Sequence, residues 1–288
     1  MIRYTLIGGL AILFFMALLK QGPSLFTTPA TSATEPILTD GDFTYHLHEP
    51  DRTASLDDDL DEISGLAYVG EDTLAAINDE QGYIFLWSDA HQAIIDKIDF
   101  GGDGDYEGIA VNNTTAYVLR SDGDIYEVTY FRNRPQTTKY ENRLSDRNDT
   151  EGLTYDSKQQ MVLIACKATG KLNDGTGSKR TLVYQYPLVE NPILTPLIRQ
   201  SKEDGLHPER PRPSGIARHP VTGGYYVLSS ADQVLMVFDN HYRLHQMVRL
   251  PNALFPQAEG ICFSPDGTLY IANEKKKKLA TLLRFNRR

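Results

Sequence analysis

Cysteine is nearly absent. Cys166 and Cys262 are the only two in 288 residues, so neither a disulfide framework nor a Cys/His zinc spacing is available. Both sit in apolar, strand-like runs and read as small buried hydrophobes. Basic charge is also in deficit. There are 29 Lys and Arg against 38 Asp and Glu, a formal net charge of −9, which argues against nucleic acid as a main partner. No Gly-x-Ser-x-Gly elbow, P-loop or dinucleotide fingerprint occurs. The seven histidines, at 46, 48, 91, 207, 219, 241 and 245, form no nucleophile–base constellation.

Long hydrophobic runs are confined to the amino terminus. After Met1-Ile-Arg3, residues 4–19 are almost unbroken apolar sequence ending at Lys20. The run is at the short end for a spanning helix, which needs about 17–25 residues. Residues 1–20 therefore read as a signal peptide or a single membrane anchor, with a Pro/Ser/Thr-rich linker over 21–41. The expected location is extracytoplasmic, in the periplasm, with residues 4–19 as a tether to the inner membrane.

What the chain does have is a repeated phrase. It reads Glu62-Ile-Ser-Gly-Leu66, Asp105-Tyr-Glu-Gly-Ile109, Asp149-Thr-Glu-Gly-Leu153, Arg212-Pro-Ser-Gly-Ile216 and Gln257-Ala-Glu-Gly-Ile261. The glycines recur at intervals of 43, 44, 63 and 45 residues. A period in the forties filled with short β-branched and aromatic runs is the mark of propeller blades. Residues 42–288 are thus expected to form one all-β propeller of five four-stranded antiparallel blades. A degenerate sixth blade is the alternative for the long interval, which instead reads as a Gly-rich basic loop (Lys167–Arg180) and a second insertion (Gln200–Arg212). The last blade lacks its outer strand, and Phe43-Thr-Tyr-His-Leu-His48 is available to supply it and close the ring. A monomer is expected.

Superposed repeats bring equivalent side chains to one mouth of the central channel. Immediately before the glycines stand Ser64, Glu107, Glu151, Ser214 and Glu259, with Asp105 and Asp149 two positions earlier. Converging carboxylates need a cation, a proton or water. Hard oxygen donors without His or Cys favour Ca²⁺ over a transition metal. The competing reading is that the acids only cap loop amides. The second strands return to the same mouth at Arg120, Lys167, Ser229-Ser230 and Asn273-Glu274. Arg120, Lys167 and Arg212 beside the acids suit a small anionic ligand, with Asn273 and Glu274 as further contacts. The run Lys275–Lys278 reads as a solvated hairpin tip, or else as a contact for an anionic membrane surface.

These phrases, taken in order and with the preceding apolar segment, resemble the SdiA-regulated (YjiK-like) family over about residues 42–288. That family is associated with exported β-propellers and with calcium, and is described as phytase-like. The resemblance implies Glu107, Glu151 and Glu259 as calcium ligands, with Asp105 and Asp149 behind them. Ser64 and Ser214 depart from an all-acid ring and weaken a multi-calcium phytase centre. The expectation is a calcium-binding propeller that recognises a small anionic ligand or a protein partner. The alternative is a metal-dependent phosphoester hydrolase, lactonase or esterase in which Glu151 activates water.

Overall fold

The computed structural model describes residues 38–40, 43–188, 192–200 and 210–288. The apolar segment over 4–19 and most of the linker lie outside the described residues. In chain order the strands begin with β1 (Leu38–Asp40), β2 (Phe43–Tyr45) and β3 (Arg52–Ser55). Blade 1 is β4 (Ile63–Gly70), β5 (Thr73–Asn78), β6 (Tyr83–Ser88) and β7 (Ala93–Asp99). Blade 2 is β8 (Tyr106–Asn112), β9 (Thr115–Arg120), β10 (Ile125–Thr129) and β11 (Gln136–Tyr140). Blade 3 is β12 (Thr150–Asp156), β13 (Met161–Cys166), β14 (Thr181–Pro187) and β15 (Thr195–Arg199). Blade 4 is β16 (Gly215–Arg218), β17 (Tyr225–Ser229), β18 (Val234–Phe238) and β19 (Leu244–Arg249). Blade 5 is β20 (Ala258–Phe263), β21 (Leu269–Asn273) and β22 (Thr281–Phe285), completed by β3. The fold is a five-bladed propeller.

Strands in the middle of a blade are buried on both faces, which is why they read as unbroken apolar runs. In β5, Leu74 and Ala76 pack toward blade 5, while Ala75 and Ile77 pack toward blade 2. The alternation follows from the two-residue period of a strand. The core is accordingly five slabs, one between each pair of neighbouring blades. The single tryptophan, Trp87, is 1% exposed and fills the slab between blades 5 and 1. Both cysteines are free and buried.

Ring closure comes from an N-terminal strand, but a different one from that expected. Arg52–Ser55 pairs antiparallel with β22, Ser55 opposite Thr281 and Arg52 opposite Arg284. Phe43–Tyr45 instead pairs with Leu38–Asp40. Tyr45 and Leu47 are buried between blades 4 and 5, where the Tyr45 hydroxyl donates to the Gly267 carbonyl. His219 Nε2 lies 3.0 Å from that hydroxyl. The closing strand has one buried residue in four, Ala54, because its outer edge faces solvent. Buried Asp89 of blade 1 ties the closure down: it takes Nη1 of Arg284 at 2.8 Å, and its backbone carbonyl takes Nη1 of Arg52 at 2.8 Å.

At the axis the repeat glycines touch. A Cβ on Gly65 would lie 3.1 Å from Gly108 Cα, one on Gly108 2.7 Å from Leu153 N, and one on Gly152 2.9 Å from Gly215 Cα. Gly215 meets the Glu259 carbonyl, and a Cβ on Gly260 would lie 2.8 Å from Leu66 Cγ. Each glycine faces the next blade's innermost strand, so the ring has no space for a methyl group where the opposing atoms are backbone. Gly152→Ala is therefore expected to cost at least about 2–3 kcal/mol, an overpacking penalty against atoms that cannot rotate away. Gly102→Ala is the control, since nothing lies within 4 Å of its Cβ position. Urea unfolding of the two variants checks this; equal midpoints would contradict it.

Candidate functional site: a bulged carboxylate ring at the channel mouth

The inner strands β4, β8, β12, β16 and β20 all start at the same mouth. In four of them the residue before the glycine is left out of the ladder. Asn78 opposes Ile63 and Ile77 opposes Gly65, so Ser64 is skipped. Glu107, Glu151 and Glu259 are skipped in the same way in β8, β12 and β20. A bulge frees one residue from pairing and re-aims its side chain. Here that residue is the ring residue, and all three glutamates line the axial constriction with the glycines. That constriction holds only about 10 Å³. Below it Leu66, Ile109, Leu153, Ile216 and Ile261 close the channel with aliphatic side chains.

Two ring positions do structural work instead. Ser64 Oγ donates to the Tyr106 carbonyl at 2.6 Å, and Ser214 Oγ donates to the Ala258 carbonyl at 2.7 Å. Each serine thus staples its blade to the backbone just ahead of the next blade's glutamate. This explains why the ring is not all acid.

The carboxylates sense one another. Burial raises Glu107 to about 10, helped by the charges of Glu151, Asp105 and Glu259 and by a hydrogen bond with Asp105. Glu259 is held well above the ordinary carboxylate range by burial and then by Glu151. Glu151, 6% exposed, is raised by burial to about 7, with Lys167 pulling it back down. The Lys167 ammonium is ion-paired to Glu151 Oε1. Asp149 and Glu259 add to the field that raises Lys167.

A second acidic group adjoins the first. Burial and the charges of Glu62, Glu274 and Glu80 raise Asp79 to about 6. Burial and Glu62 also raise Glu274, whose carboxylate accepts from Gln257 Nε2. Among the described residues no three or more His, Cys, Asp or Glu side chains stand arranged as a ready-made metal site. The donors are nonetheless all hard oxygens, the chemistry that suits Ca²⁺.

The expected cations fare differently. Lys167 is at the ring. Arg120 is turned to Asp122, Asp124 and Tyr126, with Nη2 2.6 Å from Asp124 Oδ2 and Nη1 3.1 Å from the Tyr126 hydroxyl. Arg212 pairs with Asp232 at 3.0 Å. Asn273, 1% exposed, bonds the Leu254 carbonyl and Thr281 Oγ1, both at 3.0 Å. Lys167 and Arg212 do share a cavity of about 370 Å³ beside the ring, with Lys276 as a third cation and Glu259 as the one acid among its described lining residues. Lys275, by contrast, is paired to Asp61. The basic tip is therefore partly bound into the mouth.

Sequence reasoning passes over Arg210. Its guanidinium donates to the carbonyls of Cys166, Lys167 and Thr181 and so fastens the strand end that carries Lys167. Asn148 anchors the Lys167–Arg180 loop from the other side, donating to the Thr169 and Lys171 carbonyls at 2.8 Å. Neither belongs to the repeated phrase, so periodicity carries no signal for them.

No protein-family model matches the chain, and no curated protein matches it. Solved structures do. The chain is similar to glutaminyl cyclase from Myxococcus xanthus, with a TM-score of 0.61, 12% identity, and coverage of 83% of this chain and 95% of that one. It is also similar to a luciferin-regenerating enzyme (TM-score 0.48, 13% identity, 83% and 95% covered). Virginiamycin B lyase from Staphylococcus aureus follows at a TM-score of 0.46 and 10% identity, with 77% and 66% covered. At these identities the likeness speaks to the propeller fold alone.

The raised carboxyls make a pH prediction. A folded-state value for Glu107 near 10, against an ordinary 4.5, means its burial costs nothing below about pH 4.5 and progressively more toward pH 10. In chelator, Glu107→Gln is expected to melt above the parent at pH 8, with the difference closing below pH 4.5. Scanning calorimetry across that range measures it; a lower melting point at pH 8 would contradict the assignment.

Proposed function

We propose that the chain is an exported propeller of the SdiA-regulated type, held at the membrane by residues 4–19 or released from it. Its carboxylate ring takes up calcium, and the cation helps recruit a small anionic ligand or an anionic group of a protein partner to the mouth. Glu107, Glu151 and Glu259 would hold the ion, backed by Asp105 and Asp149. The observation that carries this reading is that three glutamates from three blades share one constricted, buried mouth, where among the described residues Lys167 is the cation paired to one of them. Acids raised in this way either keep protons or exchange them for a metal. The ion would supply positive charge toward the ligand's oxygens. Lys167, Arg212 and Lys276 surround the adjoining cavity and offer charge-assisted hydrogen bonds to an anion.

Lys167 competes with calcium for Glu151, so the ion pair must open for the carboxylate to ligate. Calorimetric titration of the purified chain with Ca²⁺ should show one saturable site that weakens as pH falls from 8 to 5, because the ring must shed protons. Glu151→Gln should weaken it at least tenfold, and Lys167→Met should tighten it. Absence of a saturable heat, or indifference to both substitutions, would end the proposal.

One observation favours a hydrolytic second reading. Glu151, raised to about 7 beside a lysine, is poised as a general base near neutral pH. Calcium-dependent phosphate release from phytate or a simple phosphoester, abolished in Glu151→Gln, is its required outcome. Calcium binding without turnover on phosphate or carboxylate esters leaves the recognition reading in place.

A further inference from the structure

The far opening of the channel is a second cavity of a different kind. The inner strands run away from the glutamates, past the aliphatic constriction, into a funnel of about 400 Å³. Its inner end is made by Leu66, Ile109, Leu153, Ile216 and Ile261, one from each blade. Arg218, at the end of β16, carries the only charged side chain among the described residues that line it. That volume lies in the range of small-molecule pockets, about 300–1,000 Å³, which are mostly apolar with a few placed polar groups.

Arg218 is incompletely used. Its side chain is 13% exposed, and its Nε is buried without a hydrogen-bond partner. Its Nε is ion-paired to Asp156 Oδ2 at 3.6 Å, longer than a hydrogen bond. Asp156 is already engaged by the Tyr225 hydroxyl at 2.7 Å and the Lys158 amide at 2.9 Å. Gly223, at φ +74°, keeps open the space beside the guanidinium, since a Cβ there would lie 3.0 Å from Arg218 Nη2. A confined arginine that has an ion-pair partner but leaves its Nε without a hydrogen-bond acceptor suits a planar anion that can accept from it.

We propose that this funnel binds a small amphipathic carboxylate, its apolar body against the aliphatic ring and its carboxylate at Arg218. The site is separate from the glutamate mouth, because the constriction between them has room for about 10 Å³. The two openings then differ in chemistry: one takes a hard cation with a polar anion, the other an apolar acid.

Octanoate is the probe, titrated calorimetrically into the full chain, with acetate and octanol as the charge-only and chain-only comparisons. One saturable site is expected for octanoate, with affinity at least tenfold above either comparison. Arg218→Gln should lose at least tenfold, and so should Asn112→Trp, which adds bulk to the funnel's lining from blade 2 and leaves the arginine in place. Glu151→Gln should bind octanoate as the parent does, which separates this site from the calcium mouth. No saturable octanoate site in the full chain, octanol binding as tightly as octanoate, unchanged binding in a folded Arg218→Gln or Asn112→Trp, or loss in Glu151→Gln would each overturn the assignment.

Discussion

Gly65, Gly108, Gly152, Gly215 and Gly260 meet the next blade's inner strand at distances that exclude a side chain, and that close approach sets the radius of the whole ring. Five blades packed this near the axis leave a constriction rather than a pore. The residue before each glycine is then forced to the mouth, and in four blades a bulge frees it from the ladder. Glycine here is needed for space, since none of the five adopts a positive φ.

The same closeness makes the glutamates costly. Glu107, Glu151 and Glu259 are desolvated by the ring and repel one another, and one lysine relieves only part of this. Serine at the other two positions bonds the neighbouring backbone and strengthens the ring at no electrostatic cost. A fold selected only for stability would place serine in all five. The three acids are stability given up at one spot, the pattern expected where a site needs charge.

The propeller was legible because its repeat is a backbone necessity written as Gly plus an aliphatic residue. Blade number followed from counting those phrases, and the long interval in blade 3 holds a loop fastened by Asn148, as its turn residues imply. The closing strand differs from the one the sequence suggests because Arg52-Thr-Ala-Ser55 is polar, whereas Phe43–His48 has the apolar alternation of a strand. That alternation is satisfied instead by burial of Tyr45 and Leu47 between blades 4 and 5. At the mouth, repeat position located the glutamates and Lys167 but could not tell which cations are already paired. Asp122, Asp124 and Asp232 lie outside the repeated phrase, and they, not the ring, take Arg120 and Arg212. Arg210 and Arg218 carry no sequence signal for the same reason: their partners are set by contacts between blades.

Three carboxyls from separate blades are expected to titrate as one group. Carbon-detected NMR of the glutamate side chains, followed from pH 3 to 10 in chelator, reads this directly. The account requires Glu107, Glu151 and Glu259 to lose their protons well above the ordinary carboxylate range, and each curve to move when either of the other two is made glutamine. Three independent titrations near 4.5, unmoved by those substitutions, would contradict it.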